Sequence, residues 1–403
     1  MIERLQVSYL RNLSQVDLSS AACNVIIGVN GSGKTSLLEA IFLLSRGKSF
    51  RHHQPKRYIQ HHKDSTTVHA RLTDNSTLAI QKQADATTLL RLNQTTVYNQ
   101  SILTEQLPTL LIDPSTMDML EQGSASRRQL LDWLVFHMKQ GFHPQWVAYQ
   151  RLLKQRNSLL KKTNHLSHVQ LAELRSWDKG LGNHAALIHH YREQVFTEWQ
   201  PYFAKSIAQL LPAYAEQLSL SYNVGYDTSM GLDVQLNERL EQDLQLGYTR
   251  IGNHRADIHV HWRSSDSTGA KNSDKKVDVA LRDELNHKLP ILKEQAANVL
   301  SRGEKKLLIT ALRLSQLPLL LNNEMVTKLP NSDIQTRMTP VVLLDDITAE
   351  LDSRAIKILL TTLARLPCQV FMTSLTDDVV PLVKELWSNP KTFHVKHGQI
   401  YLT

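Results

Sequence analysis

The sequence predicts an α/β fold in which one domain is split by a long helical insertion. A glycine-rich loop between a short strand and a helix stands near the N-terminus. A buried strand that ends in two carboxylates follows more than three hundred residues later. Between these motifs, apolar residues recur at helical spacing over residues 115–215. The two motifs are typical halves of one nucleotide site, so the sequence between them is predicted to be inserted into a single domain.

Length and composition narrow the classes of protein. The chain has 403 residues, enough for one large or two ordinary domains, and 41% of them are hydrophobic, which excludes a disordered chain. The presence of only two cysteines excludes a disulfide-stapled secreted scaffold. The N-terminus shows no signal peptide, and the apolar runs are far shorter than the roughly 20 residues of a membrane helix. These features favour a soluble, cytoplasmic protein without a membrane partner.

The first hundred residues read as short strands, with the turn residues of antiparallel hairpins between neighbours. Residues 34–44 carry apolar side chains at helical spacing and are predicted to form a helix. The predicted strands are Leu5–Tyr9, Val16–Leu18, Cys23–Gly28, Val68–Leu72, Leu78–Gln81, Leu89–Leu92 and Thr95–Tyr98.

The rest of the chain divides into a helical part and a mixed part. Trp133, Trp146, Trp177 and Trp199 recur at helical spacing and are predicted to lie in the core of amphipathic helices too short for a coiled-coil arm. Three segments are expected. Residues 1–113 and 250–403 are the two halves of the split nucleotide-binding domain, which we call the head. Residues 114–249 are the inserted basic helical part, which we call the lobe. Later predictions are strands at Ile258–Trp262, Val277–Leu281, Val341–Leu344 and Val370–Met372, a helix at Gly303–Gln316, and loops at 263–276 and 322–340.

The glycine-rich loop fits the pattern G-x-x-x-x-G-K-[ST] completely. Its glycines let backbone N–H groups turn toward a phosphate, and the start of the following helix adds partial positive charge. We expect Lys34 to reach the β- and γ-phosphates of a nucleotide and the Thr35 hydroxyl to bind Mg²⁺. The residues predicted to surround the phosphates are Gly28, Val29, Asn30, Gly31, Ser32, Gly33, Lys34, Thr35 and Ser36.

The strand Val341–Leu344 ends in Asp345 and Asp346. Paired with the glycine-rich loop, the first carboxylate is expected to hold Mg²⁺ through water and the second to polarise the attacking water as general base. Lys34 and Asp346 are therefore the predicted catalytic residues, and ATP and Mg²⁺ are the predicted ligands.

A third motif, Leu300–Lys306, stands at the start of a predicted helix just before the acid pair. Ser301 is a plausible cap, and Gly303 and the free N–H groups favour an anion. Because the glycine-rich loop already wraps one nucleotide, this second anion site is most useful against the γ-phosphate held by another copy. The motif therefore predicts an ATP-dependent homodimer with two buried nucleotides, in which Glu350 and Asp352 lie on a loop facing the partner.

In this order, the motifs resemble the ABC-type ATPase superfamily in its DNA-repair branch, and within it the RecF family of bacterial recombination mediators. The resemblance implies a split ABC-type P-loop ATPase head with antiparallel β hairpins and an inserted α-helical lobe. It also puts Ser374 at the place of a γ-phosphate sensor. It covers the chain essentially end to end, through Tyr9–Asn12, Thr35–Ile41, Gly47–Arg51, Asp113 to Arg128, Gly252–Asp257, Leu300–Glu304, Leu344–Asp346 and Glu350–Asp352.

The resemblance implies an ATP-dependent DNA-binding protein of recombinational repair at gaps and stalled replication forks. Single-stranded and gapped double-stranded DNA are the implied substrates, RecR and RecO the implied partners, and RecA loading the implied outcome. Hydrolysis is expected to be slow, DNA-stimulated and used as a switch, because Asp346 is shorter than the Glu of many relatives outside this family. Ser374 departs from the His of transporter ATPases, and no Gln near Leu111–Pro114 matches the usual Mg²⁺-sensing loop. Association with the nucleoid is expected.

A cluster of positive charge marks the helical lobe. Residues 122–162 hold eight Lys and Arg against one acid, Asp132, in a chain of net charge +8. Such a face neutralises phosphates without reading bases, although charge alone equally fits a solvated basic surface. The predicted DNA contacts are Arg127, Arg128, Arg151, Lys154 and Arg156.

Three other functions compete with this interpretation. An SMC-like chromosome-structuring ATPase needs long coiled coils, a transport ATPase subunit needs a membrane partner, and an ATPase-coupled nuclease needs a further cluster of metal-binding acids. The pairs His52-His53 and His61-His62 are expected to be loop surface rather than a metal site. His254 and Arg255 fit two roles equally well, a DNA contact or a tie between two lobes.

Overall fold

The N-terminal part of the chain is built from strands and two helices in the computed structural model, which describes residues 1–113, 123–163, 165–262, 294–322, 326–328, 335–337 and 339–403. Its elements are β1 (Ile2–Leu10), β2 (Leu13–Ser19), β3 (Cys23–Ile27), α1 (Lys34–Arg46), β4 (Ser65–Leu72), β5 (Thr77–Gln83), β6 (Thr88–Leu92), β7 (Thr95–Val97), α2 (Gln100–Gln106) and β8 (Thr109–Ile112).

The middle of the chain is mostly helical and includes a small sheet. Its elements are α3 (Ser124–Met138), α4 (Phe142–Leu160), α5 (His168–Leu210), β9 (Leu218–Asn223), α6 (Leu232–Glu238), α7 (Leu240–Leu246), β10 (Asp257–Trp262), β11 (Glu294–Gln295) and α8 (Ala296–Val299).

Strands and helices alternate in the C-terminal part. Its elements are α9 (Arg302–Leu314), α10 (Gln316–Asn322), β12 (Val326–Lys328), β13 (Gln335–Arg337), β14 (Val341–Leu344), α11 (Ile347–Glu350), α12 (Ser353–Ala364), β15 (Gln369–Ser374), α13 (Val380–Leu386), β16 (Lys391–Lys396) and β17 (Gln399–Leu402).

Two compact units divide the chain. The first, the head, joins Met1–Met117 to Ile309–Thr403, and the second, the lobe, is Asp118–Leu308. A head split by an insertion was expected, but the expected return to the head at residue 250 is too early. Strands β9 and β10 pair within the lobe, and α3 is held to β10 by side-chain bonds, so residues 250–308 complete the lobe instead.

One of the two large sheets of the head is antiparallel, in the order β2-β1-β4-β5-β6-β7. The predicted hairpins account for all six strands; the first five are longer than predicted by one to four residues, and β7 is one residue shorter. The turn between β6 and β7 uses Asn93 and Gln94, both in the left-handed region with φ of 49° and 66°. Two consecutive positive φ values are the geometry that matches the right-handed twist of a hairpin. The sheet's apolar face covers α1, which is buried on most of its surface.

The other large sheet of the head has the order β17-β16-β3-β15-β14-β8. Strands β16, β3, β15, β14 and β8 are parallel to one another, and β17 pairs antiparallel with β16 at the edge. All residues of β3, β14 and β15 are buried, as expected for strands covered on both faces. The carboxyl ends of these strands therefore meet at one edge, where α/β sheets bind their ligands.

The long helix α5 dominates the lobe. It runs for 43 residues, longer than the separate short helices that were predicted, and begins with a complete capping box at Ser167 and Gln170. Contacts of Gln145 with His184 and of Arg156 with Asp178 show that α4 packs antiparallel to it. Buried residues occur along α5 from Leu174 to Leu210, so the helix is part of a packed core rather than a free arm.

Several predictions need correction. Strands β8, β9, β16 and β17 were not predicted, and the expected loop 322–340 contains the paired strands β12 and β13. Trp133 and Trp199 are buried as expected, whereas Trp146 is 37% exposed and does not belong to the core. The strand expected at Val277–Leu281 and its preceding loop lie outside the described residues. No helix in the described part of the chain has the length and apolar character needed to cross a membrane.

Candidate active site

The glycine-rich loop closes around its own lysine. Lys34 is buried and donates from Nζ to the carbonyl oxygens of Gly28 (2.6 Å) and Val29 (3.2 Å), which places its ammonium inside the loop. Gly33 has φ of 123°, a value that side chains disfavour, and a Cβ there would lie 3.0 Å from Leu13. The predicted phosphate-binding residues Gly28 to Ser36 thus form one continuous loop and helix start, between β3 and α1.

Three strand ends bring the two sequence motifs together. Thr35, after β3, donates from Oγ1 to Oδ1 of Asp345 at 3.0 Å. Thr373, at the end of β15, donates to the same Oδ1 at 2.9 Å. Because β3, β15 and β14 are adjacent and parallel, residues far apart in sequence converge at one edge of the sheet. A hydroxyl beside a carboxylate is an oxygen donor set of the kind that Mg²⁺ prefers.

The charges at this edge are shaped by burial. Desolvation raises the pKa of Asp345, while the hydroxyls of Thr373 and Thr35 oppose that rise by stabilising the carboxylate. Desolvation lowers the pKa of Lys34, and the nearby Asp346 and Asp345 carboxylates oppose that shift. The result is a buried cation and a buried anion at the mouth of the phosphate loop.

Asp346 occupies a strained position. Its φ of 52° and ψ of 39° are left-handed, and it is the N-cap residue of α11. The Asp346 N–H donates to Oγ1 of Thr373 at 2.7 Å, which fixes the backbone. Its Oδ1 is buried and accepts no hydrogen bond from the residues that the structure describes. A held backbone with an unsatisfied acceptor fits a group whose partner is a water or a ligand.

Residues that the sequence analysis did not single out line the same cleft. The cleft encloses about 340 Å³, and Arg11, Asn12 and Arg51 line it beside the predicted Asp346. Asn12 donates to the Gly31 carbonyl at 3.0 Å and so supports the loop from β1's end. These residues lie in the segments Tyr9–Asn12 and Gly47–Arg51, which resemble the RecF family in sequence but had no predicted role.

Arg11 is held by a buried acid. Its Nε and Nη2 donate to Glu39 at 2.6 and 2.8 Å, and the Glu39 side chain is fully buried in α1. Such a two-bond pairing fixes the plane of the guanidinium. Ser49 also donates to Glu39 and accepts from the N–H groups of Arg51 and His52, at 3.0 Å each. Helix α1 thereby positions both arginines of the cleft.

Ser301 and Gly303 are at the start of α9, as the sequence predicted, and both are exposed. Ser301 and Glu304 form a capping box, in which the Ser301 N–H donates to Glu304 at 2.8 Å and the Glu304 N–H donates to Ser301 Oγ at 3.4 Å. Tyr214 donates to the same Glu304 carboxylate at 2.5 Å, and these bonds lower its pKa. A Cβ at Gly303 would meet no atom within 4 Å, so an approaching ligand finds open space.

The remaining predicted head residues lie close to strand β15 or to α12. Ser374 is fully buried and donates to the Thr376 carbonyl at 2.7 Å, with the Thr348 hydroxyl 3.4 Å away. Asp352 is exposed and caps α12 by accepting from the Ala355 N–H at 2.7 Å. Glu350 is the last residue of α11. The sensor role of Ser374 and the partner-facing role of Glu350 and Asp352 stay predictions.

The predicted DNA contacts of α4 separate into two faces. Arg151 and Lys154 are exposed. Arg156 is fully buried and donates to Asp178 and Asp243 at 2.7 Å each, and to Thr249 at 2.7 Å. The expectation that Arg156 contacts DNA is therefore wrong, because two carboxylates inside the lobe neutralise its buried guanidinium.

Arg127 and Arg128, on α3, are also tied to the protein. Arg127 makes two bonds to Asp257 at 2.9 and 2.8 Å, and Arg128 donates to the Ala256 carbonyl at 2.6 Å. Both are partly buried, so they anchor β10 to α3 and offer less free charge than the sequence suggested.

His254 lies in a 3₁₀ turn rather than on a strand. Its Nδ1 is 2.9 Å from the Tyr149 hydroxyl and its Nε2 is 3.1 Å from the Thr249 carbonyl. The carbonyl requires a donor, so the neutral ring carries its proton on Nε2 and accepts from Tyr149 on Nδ1. Arg255 is exposed, with its guanidinium 5.5 Å from the Tyr248 ring centre. His254 thus fastens parts of the lobe to one another.

Comparison with known proteins agrees with this geometry. The family model described as RecF/RecN/SMC N terminal domain matches residues 1–398. A protein of Acinetobacter baumannii (strain SDF), called DNA replication and repair protein RecF, is 38% identical over 403 residues, which is 100% of this chain and 99% of the relative. The chain belongs to the RecF family.

Solved structures show the same fold. A RecF–ATP structure, described as the recombination mediator protein in the RecFOR pathway, matches with a TM-score of 0.78 at 22% identity, covering 100% of this chain and 97% of the other. An Smc head bound to the C-winged helix domain of ScpA matches with a TM-score of 0.52 at 13% identity, covering 100% and 96%. This RecF-family chain therefore has the ABC-type ATPase fold that its motifs predicted.

Proposed function

We propose that this chain is an ATP-dependent DNA-binding protein that acts in recombinational repair at gaps and stalled replication forks. The observation that carries the proposal is the meeting of Thr35 and Asp345, 3.0 Å apart beside the buried Lys34. It joins the two halves of a nucleotide site across the whole lobe insertion. The curated relatives' name, DNA replication and repair protein RecF, supports the biological setting.

ATP is the proposed nucleotide, and Lys34 and the loop N–H groups are its proposed phosphate ligands. Thr35 and Asp345 would hold Mg²⁺, because their oxygens already lie together and the Thr373 hydroxyl donates to the same Asp345 oxygen. The ion would neutralise phosphate charge and orient the nucleotide. Asp346, with its unpaired buried Oδ1, is the proposed base for water. Its short side chain supports slow hydrolysis, which we propose acts as a DNA-stimulated timer for release.

Pairing of two chains is the proposed effect of ATP. Ser301 and Gly303 are exposed at the start of α9, where a second chain's γ-phosphate would find N–H donors. Glu350 and Asp352 would lie on the loop that faces the partner, and Ser374 would report the γ-phosphate. An ATP-dependent homodimer of this kind couples nucleotide and DNA affinity, since each ligand then strengthens the other.

Two exposed basic surfaces support DNA as the ligand. On the lobe, Arg151 and Lys154 of α4 and Lys161 and Lys162 after it face solvent. On the head, a cleft of about 490 Å³ is lined by the second surface, which we call the hairpin cluster. Its members are Arg11, His52, Lys56, Arg57, His61, His62 and Lys63.

The hairpin cluster adjoins the phosphate loop through Arg11, which lines both clefts. Lys56, Arg57 and Lys63 are exposed, and no described carboxylate lies within ion-pair distance of them. Exposed cations without counter-charges are suited to the phosphates of a nucleic acid. The four histidines of this region form no metal cluster with other described His, Cys, Asp or Glu residues.

We also propose that the chain cooperates with RecR and RecO and so helps RecA to load on DNA. It would do so in the cytoplasm, at the nucleoid. The matched RecF–ATP structure is described as part of the RecFOR pathway, which supports this partner set. The alternative function is an SMC-like chromosome-structuring ATPase. The packed helical hairpin of α4 and α5 argues against it, because α5 carries buried residues from Leu174 to Leu210 instead of extending freely as a coiled coil.

Fluorescence anisotropy on a gapped duplex tests the proposal. Binding is measured without nucleotide, with Mg·ADP and with Mg·ATP, at one fixed salt concentration. Tight binding only with Mg·ATP is the expected result. Equal binding in all three conditions would leave DNA binding but remove the ATP switch. Absence of binding in every condition would overturn the proposed function.

A further inference from the structure

A cleft in the head takes no part in the nucleotide site. It lies between the C-terminal end of α1 and strands β5, β6 and β7, and it encloses about 500 Å³. Helix α1 ends at Arg46, with Gly47 in the left-handed conformation, so the chain turns sharply there. Arg46 and Lys48, on either side of this turn, both line the cleft. We call this the helix-end cleft; Arg46, Lys48, Lys82, Leu89, Val97 and Tyr98 are among its lining residues.

The charge of the helix-end cleft is entirely positive. Arg46, Lys48 and Lys82 line it, and its lining contains no Asp or Glu. Among the residues that the structure describes, no carboxylate lies within ion-pair distance of these three cations. Lys82 donates to the Thr88 hydroxyl at 2.7 Å, which is a neutral partner. The cleft therefore brings three cations together without a carboxylate from the described residues to balance their charge.

Burial makes this arrangement costly. Desolvation lowers the pKa of Arg46 to about 10, and it also lowers the pKa values of Lys48 and Lys82. A partly buried cation without a charged partner loses hydration and gains nothing in return. An anionic ligand would offset this cost at Arg46 and Lys82, which are half-buried, and it would also attract the exposed Lys48 at the mouth of the cleft.

The rim of the helix-end cleft adds apolar surface and an open strand edge. Tyr98 is 95% exposed and Leu89 is 42% exposed. Strand β7 is the last strand of the hairpin sheet and pairs with β6 on one side only, in the described residues. An edge strand offers backbone N–H and C=O groups to another extended chain.

We propose that the helix-end cleft binds an extended acidic segment of a partner protein, which adds a strand to β7. Main-chain bonds to β7 would provide affinity, and alternate side chains would provide specificity. Carboxylates on one face of the segment would reach Arg46, Lys48 and Lys82. Apolar residues of the segment would cover Leu89 and Tyr98.

A protein segment fits this cleft better than duplex DNA does. A duplex presents its phosphates on a convex surface, which cannot enter a cleft between a helix end and a sheet. Arg46 and Lys82 are half-buried, so their ligand must carry charge on a narrow, flexible arm. A carboxylate side chain on an extended strand has that shape. The hairpin cluster differs, because its Lys56, Arg57 and Lys63 are exposed and open to a broad ligand.

The test uses a fluorescein-labelled peptide, Glu-Val-Glu-Leu-Glu-Phe, and the full chain without nucleotide. Fluorescence anisotropy at one fixed salt concentration measures its affinity, and the matched peptide Gln-Val-Gln-Leu-Gln-Phe controls for charge. We expect the acidic peptide to bind and the glutamine peptide to bind at least about tenfold more weakly. A peptide N-methylated at alternate residues should lose binding too, because it lacks the donors that pair with a strand.

Paired variants locate the site. Lys48→Glu should weaken binding of the acidic peptide at least about tenfold, because one charge-assisted bond becomes a repulsion. Lys63→Glu, in the hairpin cluster, makes the same charge change and should leave peptide binding unaltered. Both residues are exposed, so neither substitution is expected to disturb the fold, and far-UV circular dichroism verifies this.

Three results would overturn the proposal. One is that no acidic peptide binds more tightly than its glutamine control. Another is that Lys48→Glu and Lys63→Glu weaken peptide binding equally, which would show general charge attraction. The third is that Lys48→Glu weakens binding of an oligothymidylate and leaves the peptide unaffected, which would make the helix-end cleft a single-stranded nucleic-acid site. The proposal does not depend on ATP, so failure of the nucleotide switch would leave it standing.

Discussion

At the scale of single residues, Thr373 connects the Asp345 carboxylate to the Asp346 backbone in the candidate active site. Its hydroxyl donates to Asp345 and accepts from the Asp346 N–H. One oxygen therefore stabilises the carboxylate of the first acid against the effect of burial and holds the strained backbone of the second. The pattern of the sequence singled out the two acids and Ser374, but it passed over the threonine that orients them.

Replacement of this hydroxyl tests that role. Thr373→Val keeps the shape of the side chain and leaves the buried Asp346 N–H unpaired, which should cost about 1–3 kcal/mol of unfolding free energy. We expect ATP hydrolysis to fall more than ATP binding, because the Lys34 loop is untouched. Steady-state phosphate release and nucleotide anisotropy measure the two effects. Thr348→Val is the control, and an equal loss of hydrolysis in both variants would contradict the role.

His254 gives the lobe a dependence on pH. Burial lowers its pKa to about 4 from an ordinary 6.5. Above pH 6.5 neither the folded nor the unfolded state is protonated there, so the residue adds no pH dependence. Between pH 6.5 and 4 only the unfolded chain takes up the proton, and stability should fall by up to about 1.4 kcal/mol per pH unit.

Urea denaturation across this pH range measures the slope. His254→Gln retains an acceptor and a donor but does not titrate, so its stability should fall less steeply as the pH is lowered. Identical slopes for the two proteins would show that the imidazole is not held neutral in the fold.

At the scale of secondary-structure elements, α4 carries two kinds of arginine. Arg156 faces inward and is paired with Asp178 of α5 and Asp243 of α7, while Arg151 faces solvent. Five residues separate them, which on a helix puts them on different faces. Helical spacing therefore indicates which residues share a face, but the acids that neutralise Arg156 come from later helices and gave no local signal.

Substitution of Arg156 should mainly lower stability, whereas substitution of Arg151 should mainly weaken DNA binding. Arg156→Met leaves two buried carboxylates unpaired and should lower the free energy of unfolding by about 3–5 kcal/mol. Arg151→Met should change stability by less than about 0.5 kcal/mol and weaken DNA binding. Urea denaturation and duplex anisotropy measure these quantities. Weaker DNA binding by a stably folded Arg156→Met variant would show that Arg156 does reach DNA.

At the scale of the whole molecule, the proposed dimer needs one chain's phosphate loop and another chain's α9. Lys34→Met should lose nucleotide binding and, with it, ATP-dependent pairing. Ser301→Arg should retain nucleotide binding and lose pairing, because the added side chain blocks the open space at the start of α9. Sedimentation velocity with Mg·ATP and nucleotide anisotropy distinguish these outcomes. Equal loss of nucleotide binding in both variants would remove the two-chain model.

The sequence predicted most of the head but less of its boundary with the lobe. Complete motifs with a fixed spacing identified β3, α1, β14 and the Thr35–Asp345 pair, because their chemistry allows few alternatives. The short strands β8, β16 and β17 carry no distinctive local pattern and are defined by their neighbours in the sheet. The assignment of residues 250–308 to the lobe depends on long-range pairing of β9 with β10, which local periodicity cannot reveal.

The order of strands in the parallel sheet has a consequence for synthesis on the ribosome. Strand β3, which leads into the phosphate loop, pairs with β15 and β16 from the last part of the chain. Strand β3 therefore leaves the ribosome long before the two strands it pairs with, and the whole lobe is translated in between. All strands and helices of the lobe are synthesised before the parallel sheet of the head is complete. The sheet is completed only when the last strands have been synthesised. A chain that ends before β15 should therefore contain a folded lobe, an unpaired β3 and no working nucleotide site.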